Sequence, residues 1–101
     1  MPNKFEIRYL PAAQGDLISI LDWIAQDSPS RAQLFIGAID KKIGNLSLHP
    51  QMGLIPRNEK LRELGYRVLV LGDYLVFYII HGQMVVIQRV LHGSREYSDI
   101  L

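Results

Sequence analysis

Two spacings of hydrophobic residues divide this chain. Phe5, Ile7 and Tyr9 alternate with Glu6 and Arg8, the two-residue period of a half-buried strand, and Pro11 ends it. From Ala12 to about Gln26 the apolar positions become Leu17, Ile18, Leu21, Ile24 and Ala25, which a helix gathers onto one stripe. Asp27-Ser28-Pro29 then stops one helix and starts another: Ser28 can cap free backbone N–H groups, and Pro29 has the fixed φ suited to a first helical position. The second stripe runs Ala32, Phe35, Ile36, Ile39, Ile43 and Leu46, and His49-Pro50 closes it.

After an irregular connection over residues 51–60 the period returns to two. The pattern predicts strand two over Leu61 to Leu71, bent or bulged at Gly65, then a type II′ turn at Gly72-Asp73 and strand three over Tyr74 to Ile80. His81-Gly82 is read as a second tight turn, Gln83 to Leu91 as strand four, and residues 94–101 as about two helical turns. Each helix has one apolar face and needs a partner surface, which the strands supply. The expected architecture is therefore α+β in the order β-α-α-β-β-β(-α), a helical hairpin packed on one face of a mainly antiparallel, twisted sheet. Trp23 is assigned to the core between helix and sheet, and Tyr66, Tyr74 and Tyr78 to cross-strand packing.

Strand alternation places Arg67, Leu69 and Leu71 on one face of strand two, with Tyr66, Val68 and Val70 on the other. In strand four Val85, Ile87, Arg89 and Leu91 are expected to share a face. Apolar residues thus lie on both sides of the sheet, so part of its second face is expected to be covered by core or by a partner.

Composition narrows the function classes. The 101 residues, 49% of them apolar, suit one domain spanning 1–101. Eleven basic and ten acidic side chains leave no strong field for general attraction to nucleic acid. With no cysteine there is neither a disulfide framework nor a thiolate metal site, and the expected compartment is the reducing cytoplasm. No apolar run approaches the ~20 residues needed to span a bilayer, and the three histidines lack carboxylates at ligand spacing. Neither membrane nor cofactor is expected.

The chemistry-bearing residues cluster where strand four gives out, in Arg89-Val90-Leu91-His92-Gly93-Ser94-Arg95-Glu96. Arginines can hold a phosphate through paired N–H groups, and an imidazole with an ordinary pKa of ~6.5 exchanges protons at neutral pH. Arg89 and Arg95 can equally pair with Glu63, Glu96 or Asp99, and His92 can be a turn residue.

This ending, the preceding Tyr-Leu-Val-Phe-Tyr strand at 74–78 and the His-Pro-Gln-Met-Gly stretch at 49–53 together resemble the RelE/ParE superfamily of bacterial toxin–antitoxin toxins. The likeness extends over nearly the whole chain. It implies a cognate antitoxin as partner in a hetero-oligomer, laid along an exposed apolar groove, and one of two activities. A ParE-like toxin binds DNA gyrase and blocks replication; a RelE-like toxin is an endoribonuclease that cuts messenger RNA on the ribosome. The nuclease pattern places Arg67 and Arg95 at phosphate-binding positions, with His92 as candidate proton shuttle; Arg67, Arg89, His92 and Arg95 are the candidates for binding a target or the antitoxin. Leu69 and Leu75 stand where that pattern has further cations, and Leu101 near where some nucleases have a tyrosine, so the ParE-like reading is favoured. A third reading is a decayed member that binds its antitoxin without toxicity.

Overall fold

A computed structural model describes residues 4–94. Strand β1 (Glu6–Tyr9) leads into helix α1 (Pro11–Asp27), and helix α2 (Pro29–Gly44) follows after a single residue. That residue, Ser28, has φ −154° and ψ 105°, the extended geometry that a following proline imposes. It ends one helix and caps the next, its Oγ accepting the Arg31 N–H at 3.3 Å. The helical hairpin expected from Asp27-Ser28-Pro29 is thus formed with almost no loop.

Helix α2 stops at Gly44, earlier than expected, and the chain tightens into a 3-10 turn over Asn45–Ser47. Long-range pairing explains the early stop. Ser47 O accepts the Phe5 N–H at 2.8 Å, and its Oγ donates to Phe5 O at 3.0 Å, so the turn zips onto the start of β1.

A larger correction concerns strand two. Glu59–Glu63 forms a short helix, α3, capped by Asn58 Oδ1 on the Leu61 N–H at 3.0 Å, and strand β2 (Tyr66–Leu71) begins only after Gly65. Strands β3 (Tyr74–His81) and β4 (Met84–His92) complete a sheet of order β1-β4-β3-β2, antiparallel except where β1 runs parallel to β4. Both hairpins turn on a glycine at the first central position, Gly72 at φ +58° and Gly82 at φ +59°. The pairs Leu71↔Tyr74 and His81↔Met84 flank these turns. The second turn is therefore Gly82-Gln83, with His81 as the last residue of β3.

Helices α1 and α2 cover one face. Ala13, Ile39, Ile43 and Leu46 pack on Leu69, Val76, Tyr78, Val85, Ile87 and Val90, with Leu17 and Ile20 at the margin. Ile18, expected in the stripe, is exposed. On the other face Leu61 of α3 joins Tyr66, Val68, Phe77 and Leu91 in a second cluster. Strand four changes face midway because the register slips between Phe77↔Arg89 and Tyr78↔Ile87, leaving Gln88 as an inserted residue. The expected common face for Ile87 and Leu91 is thereby split: Ile87 meets the helices and Leu91 lies opposite. The three tyrosines separate likewise, Tyr66 falling on the α3 side and Tyr78 under the helices. Among the described residues no helix is long and apolar enough to cross a membrane.

Candidate functional site

The sequence points to Arg67, Arg89, His92 and Arg95. The first three engage separate partners; Arg95, like the helical tail expected over 94–101, lies outside the described residues.

Arg67 shares its face of β2 with Leu69, which is buried under the helices, so it does not project from an open face of the sheet. Its Nη1 donates to Gln51 O at 3.2 Å and Gly53 O at 3.1 Å. Beside it the fully buried Tyr78 donates its hydroxyl to Pro50 O at 2.7 Å and accepts the Gly53 N–H at 2.9 Å. Burial pushes the Tyr78 pKa up, against smaller downward pulls from the Gly53 N–H and the Arg67 charge, so the phenol keeps the proton it donates. The His49–Gly53 stretch is therefore held by two side chains from the sheet. Gly53 is required there, because a Cβ would sit 2.5 Å from the Tyr78 hydroxyl oxygen. Beyond it Leu54 pairs with Val68 in both directions, at 2.7 and 2.9 Å, and extends the sheet past β2.

Arg89 meets Asp16 of α1, a partner the sequence did not suggest; Glu96 and Asp99, two of the partners expected for it, lie outside the described residues. Nε donates to Oδ2 at 2.7 Å and Nη2 to Oδ1 at 2.8 Å, a bidentate pair. The Asp16 hydrogen bond raises the Arg89 pKa against its burial, which keeps the guanidinium charged. Asp16 Oδ2 also accepts the Val90 N–H at 3.0 Å. Strand β1 ends at Tyr9, opposite Ile87, so Asp16 takes up the edge of β4 just beyond the last rung of the parallel ladder.

His92 is exposed at the end of β4. Its Nδ1 accepts the Ser94 N–H at 3.1 Å and lies 2.7 Å from Ser94 Oγ. The Ser94 N–H thus engages Nδ1 within the turn that follows β4. The imidazole edge meets Tyr74 at 5.3 Å between centroids, and Tyr74 meets Phe35 at 5.3 Å in the same manner. The chain after His92 is tied to the β2–β3 turn, Gly93 N–H donating to Asp73 O at 2.8 Å.

These rings form the wall of an open groove of about 850 Å³ between the helical hairpin and the Gly72-Asp73 turn. Trp23, Asp27, Arg31 and Leu34 line its helical side. Trp23 is 70% exposed and Leu34 74%. This corrects the expectation that Trp23 lies in the core. Neither Arg67 nor Arg89 lines the groove. Among the described residues no three His, Asp or Glu side chains are grouped to hold a metal ion.

Sequence reasoning missed three features here. Asp16 is 73 residues from Arg89, and no local pattern links them. The partnership of Tyr78 with the 49–53 loop is equally non-local. Trp23 was accessible: at 100° per residue it lies roughly 90° from the centre of the Ala13–Leu17–Ile20–Ile24 row.

Solved structures share this overall fold. A chain of the chromosomal ParDE TA system from P. aeruginosa superposes with a TM-score of 0.72 at 18% identity, covering 89% of this chain and 97% of that one. The toxin–antitoxin complex RelBE2 from Mycobacterium tuberculosis gives 0.60 at 26% identity, with 88% and 98% covered. A conserved hypothetical protein from Helicobacter pylori gives 0.54 at 14%, with 90% and 97% covered. At those identities the first and third likenesses concern the fold. No curated protein matches by sequence. A family model described as the ParE toxin of the type II toxin–antitoxin system parDE matches residues 7–97, nearly the whole chain, and it includes both the pinned 49–53 loop and the end of β4; the chain belongs to the ParE toxin family.

Proposed function

We propose that the chain is the toxin of a type II toxin–antitoxin pair, that it acts by inhibiting DNA gyrase, and that a cognate antitoxin neutralises it in a hetero-oligomer. The observation that carries the gyrase reading is the engagement of Arg67 and Arg89, the candidate arginines among the described residues. Cleaving a phosphodiester needs cations free to receive the charge that builds on the phosphoryl oxygens. Arg67 is committed to the carbonyls of Gln51 and Gly53, and Arg89 to the carboxylate of Asp16. Leu69 is core, and Leu75 packs against the second cluster. A phosphate would have to displace a bidentate carboxylate to reach Arg89. Inhibition by binding places no such demand on the surface.

The antitoxin reading is supported by family membership and by apolar side chains displayed beside β2. Leu48, Met52, Leu54 and Ile55 are exposed on a segment whose backbone is pinned from beneath. An extended segment of a partner gains contact there without ordering the toxin further. A RelE-like ribosome-dependent nuclease is the second reading, favoured by the likeness to the RelBE2 complex.

The purified chain is expected to stop DNA supercoiling by gyrase, to be relieved by the antitoxin, and to leave messages intact on translating ribosomes. Site-specific message cuts that disappear in Arg95→Ala would put the nuclease first. Normal growth on induction of soluble, folded chain would identify a decayed member.

A further inference from the structure

The exposed face of the helical hairpin is independent of the gyrase reading and has a feature of its own. Trp23 and Asp27 are four residues apart on α1, hence on one side of that helix; Arg31 and Leu34, three apart, share a side of α2. All four line the same groove. Measured from the Ser28 pivot at 1.5 Å per residue, Asp27 and Arg31 lie within about 5 Å of the turn. Trp23 and Leu34 lie lower, at about 7.5 and 9 Å along their helices.

This is the pattern of a surface that complements its own rotated image. A two-fold axis parallel to the hairpin keeps height and exchanges α1 with α2 across the contact. Trp23 of one copy then faces Leu34 of the other, and Asp27 faces Arg31, each contact occurring twice. Within one chain Arg31 and Asp27 approach only to 3.9 Å, with side chains 73% and 87% exposed, so both retain capacity for a second partner. We propose that this face is a self-association interface, through which two copies of the free chain pair with Trp23 against Leu34 and Asp27 against Arg31. A large exposed indole beside a mirrored acid and base is accounted for by one contact.

The test uses the full chain. Trp23 is the single tryptophan, so its emission reports the interface directly. Sedimentation velocity across the micromolar range is expected to show a monomer–dimer equilibrium, with Trp23 emission moving to shorter wavelength and iodide quenching falling as the dimer forms. Leu34→Asp is expected to give a monomer. Asp27→Arg and Arg31→Asp each set like charges face to face and are expected to weaken the dimer about tenfold or more. The double variant D27R/R31D is expected to restore it. All these positions are exposed, and circular dichroism verifies folding. The proposal is overturned by a wild-type chain that stays monomeric with constant emission, by a dimer indifferent to Leu34→Asp, or by a folded double variant that fails to recover.

Discussion

Replacing Tyr78 by Phe deletes one oxygen atom and keeps the ring. The perturbation therefore isolates the hold on the 49–53 loop from the packing of the core. Tyr78 is fully buried, so the substitution opens no route for water from its own side. Two hydrogen bonds vanish, the 2.7 Å bond to Pro50 O and the 2.9 Å bond from Gly53 N–H. Losing the first costs on the order of 1 kcal/mol, because Pro50 O can turn to solvent. Losing the second leaves a buried donor without its acceptor, which costs about 1–3 kcal/mol. The sum is about 2–4 kcal/mol, equivalent to a fall of roughly 8–30 °C in Tm for a domain of this size.

Urea unfolding followed by circular dichroism reads this as a lower midpoint at unchanged slope. Limited proteolysis near residues 49–53 should accelerate along with it. Arg67→Met removes bonds to carbonyls of the same loop, so the double variant should lose less than the two single losses added, the mark of a shared structure. A loss below about 0.5 kcal/mol for Tyr78→Phe, or strict additivity with Arg67→Met, would refute the idea that these side chains jointly hold the loop.

Three further outcomes follow from the same geometry. Gly53→Ala sets a methyl 2.5 Å from the Tyr78 hydroxyl oxygen and 2.7 Å from Cε1, where the buried ring cannot yield; a loss of about 2 kcal/mol or more is expected in the same unfolding assay. Asp16→Ala strips a partly buried guanidinium of its carboxylate and the Val90 N–H of its acceptor, with an expected loss of about 2–3 kcal/mol, while D16L/R89L removes both charges and should be the milder change. Alkaline pH should destabilise the fold: burial raises the Tyr9, Tyr66 and Tyr78 pKa values above the usual 10, so the unfolded chain releases protons first. Their contribution is whole below about pH 10 and is lost as pH rises through the folded values; Tyr66→Phe, whose shift arises from burial alone, should flatten that slope.

What was legible in the sequence is what local chemistry dictates. Ser28-Pro29 forces an extended residue between two helices whatever surrounds it, and Gly72 turns its hairpin by its own φ. The errors fall where distant residues decide. Helix α2 ends early because Ser47 must reach Phe5, and the residues before Tyr66 fold as a helical turn so that Leu61 can cover the far side of the sheet. The inserted Gln88 breaks strict alternation, so Arg89 was assigned with Ile87 when the register puts it opposite Phe77. For the two expected site arginines that the structure describes in β2 and β4, the partners come from parts of the chain that no local pattern connects to them. Arg67 and Arg89 attract attention as cations, yet the groups that receive them are a loop 14–16 residues away and an aspartate 73 residues away.

The engagement of these arginines also bears on how one fold can serve different ends. A guanidinium is always charged, so only its partners decide whether it is structural or reactive. Here Asp16 does two tasks with one carboxylate, holding Arg89 and occupying the β4 edge at Val90. Freeing Arg89 for a phosphate would therefore also strip the acceptor from a backbone N–H, joining the loss of an ion pair to the loss of a strand-edge bond. The Arg67 site is linked in the same way, since its release would loosen the loop that displays Met52 and Leu54. In each case the cation is tied, directly or through Asp16, to the backbone of the fold, which makes recruitment of Arg67 or Arg89 to catalysis costly.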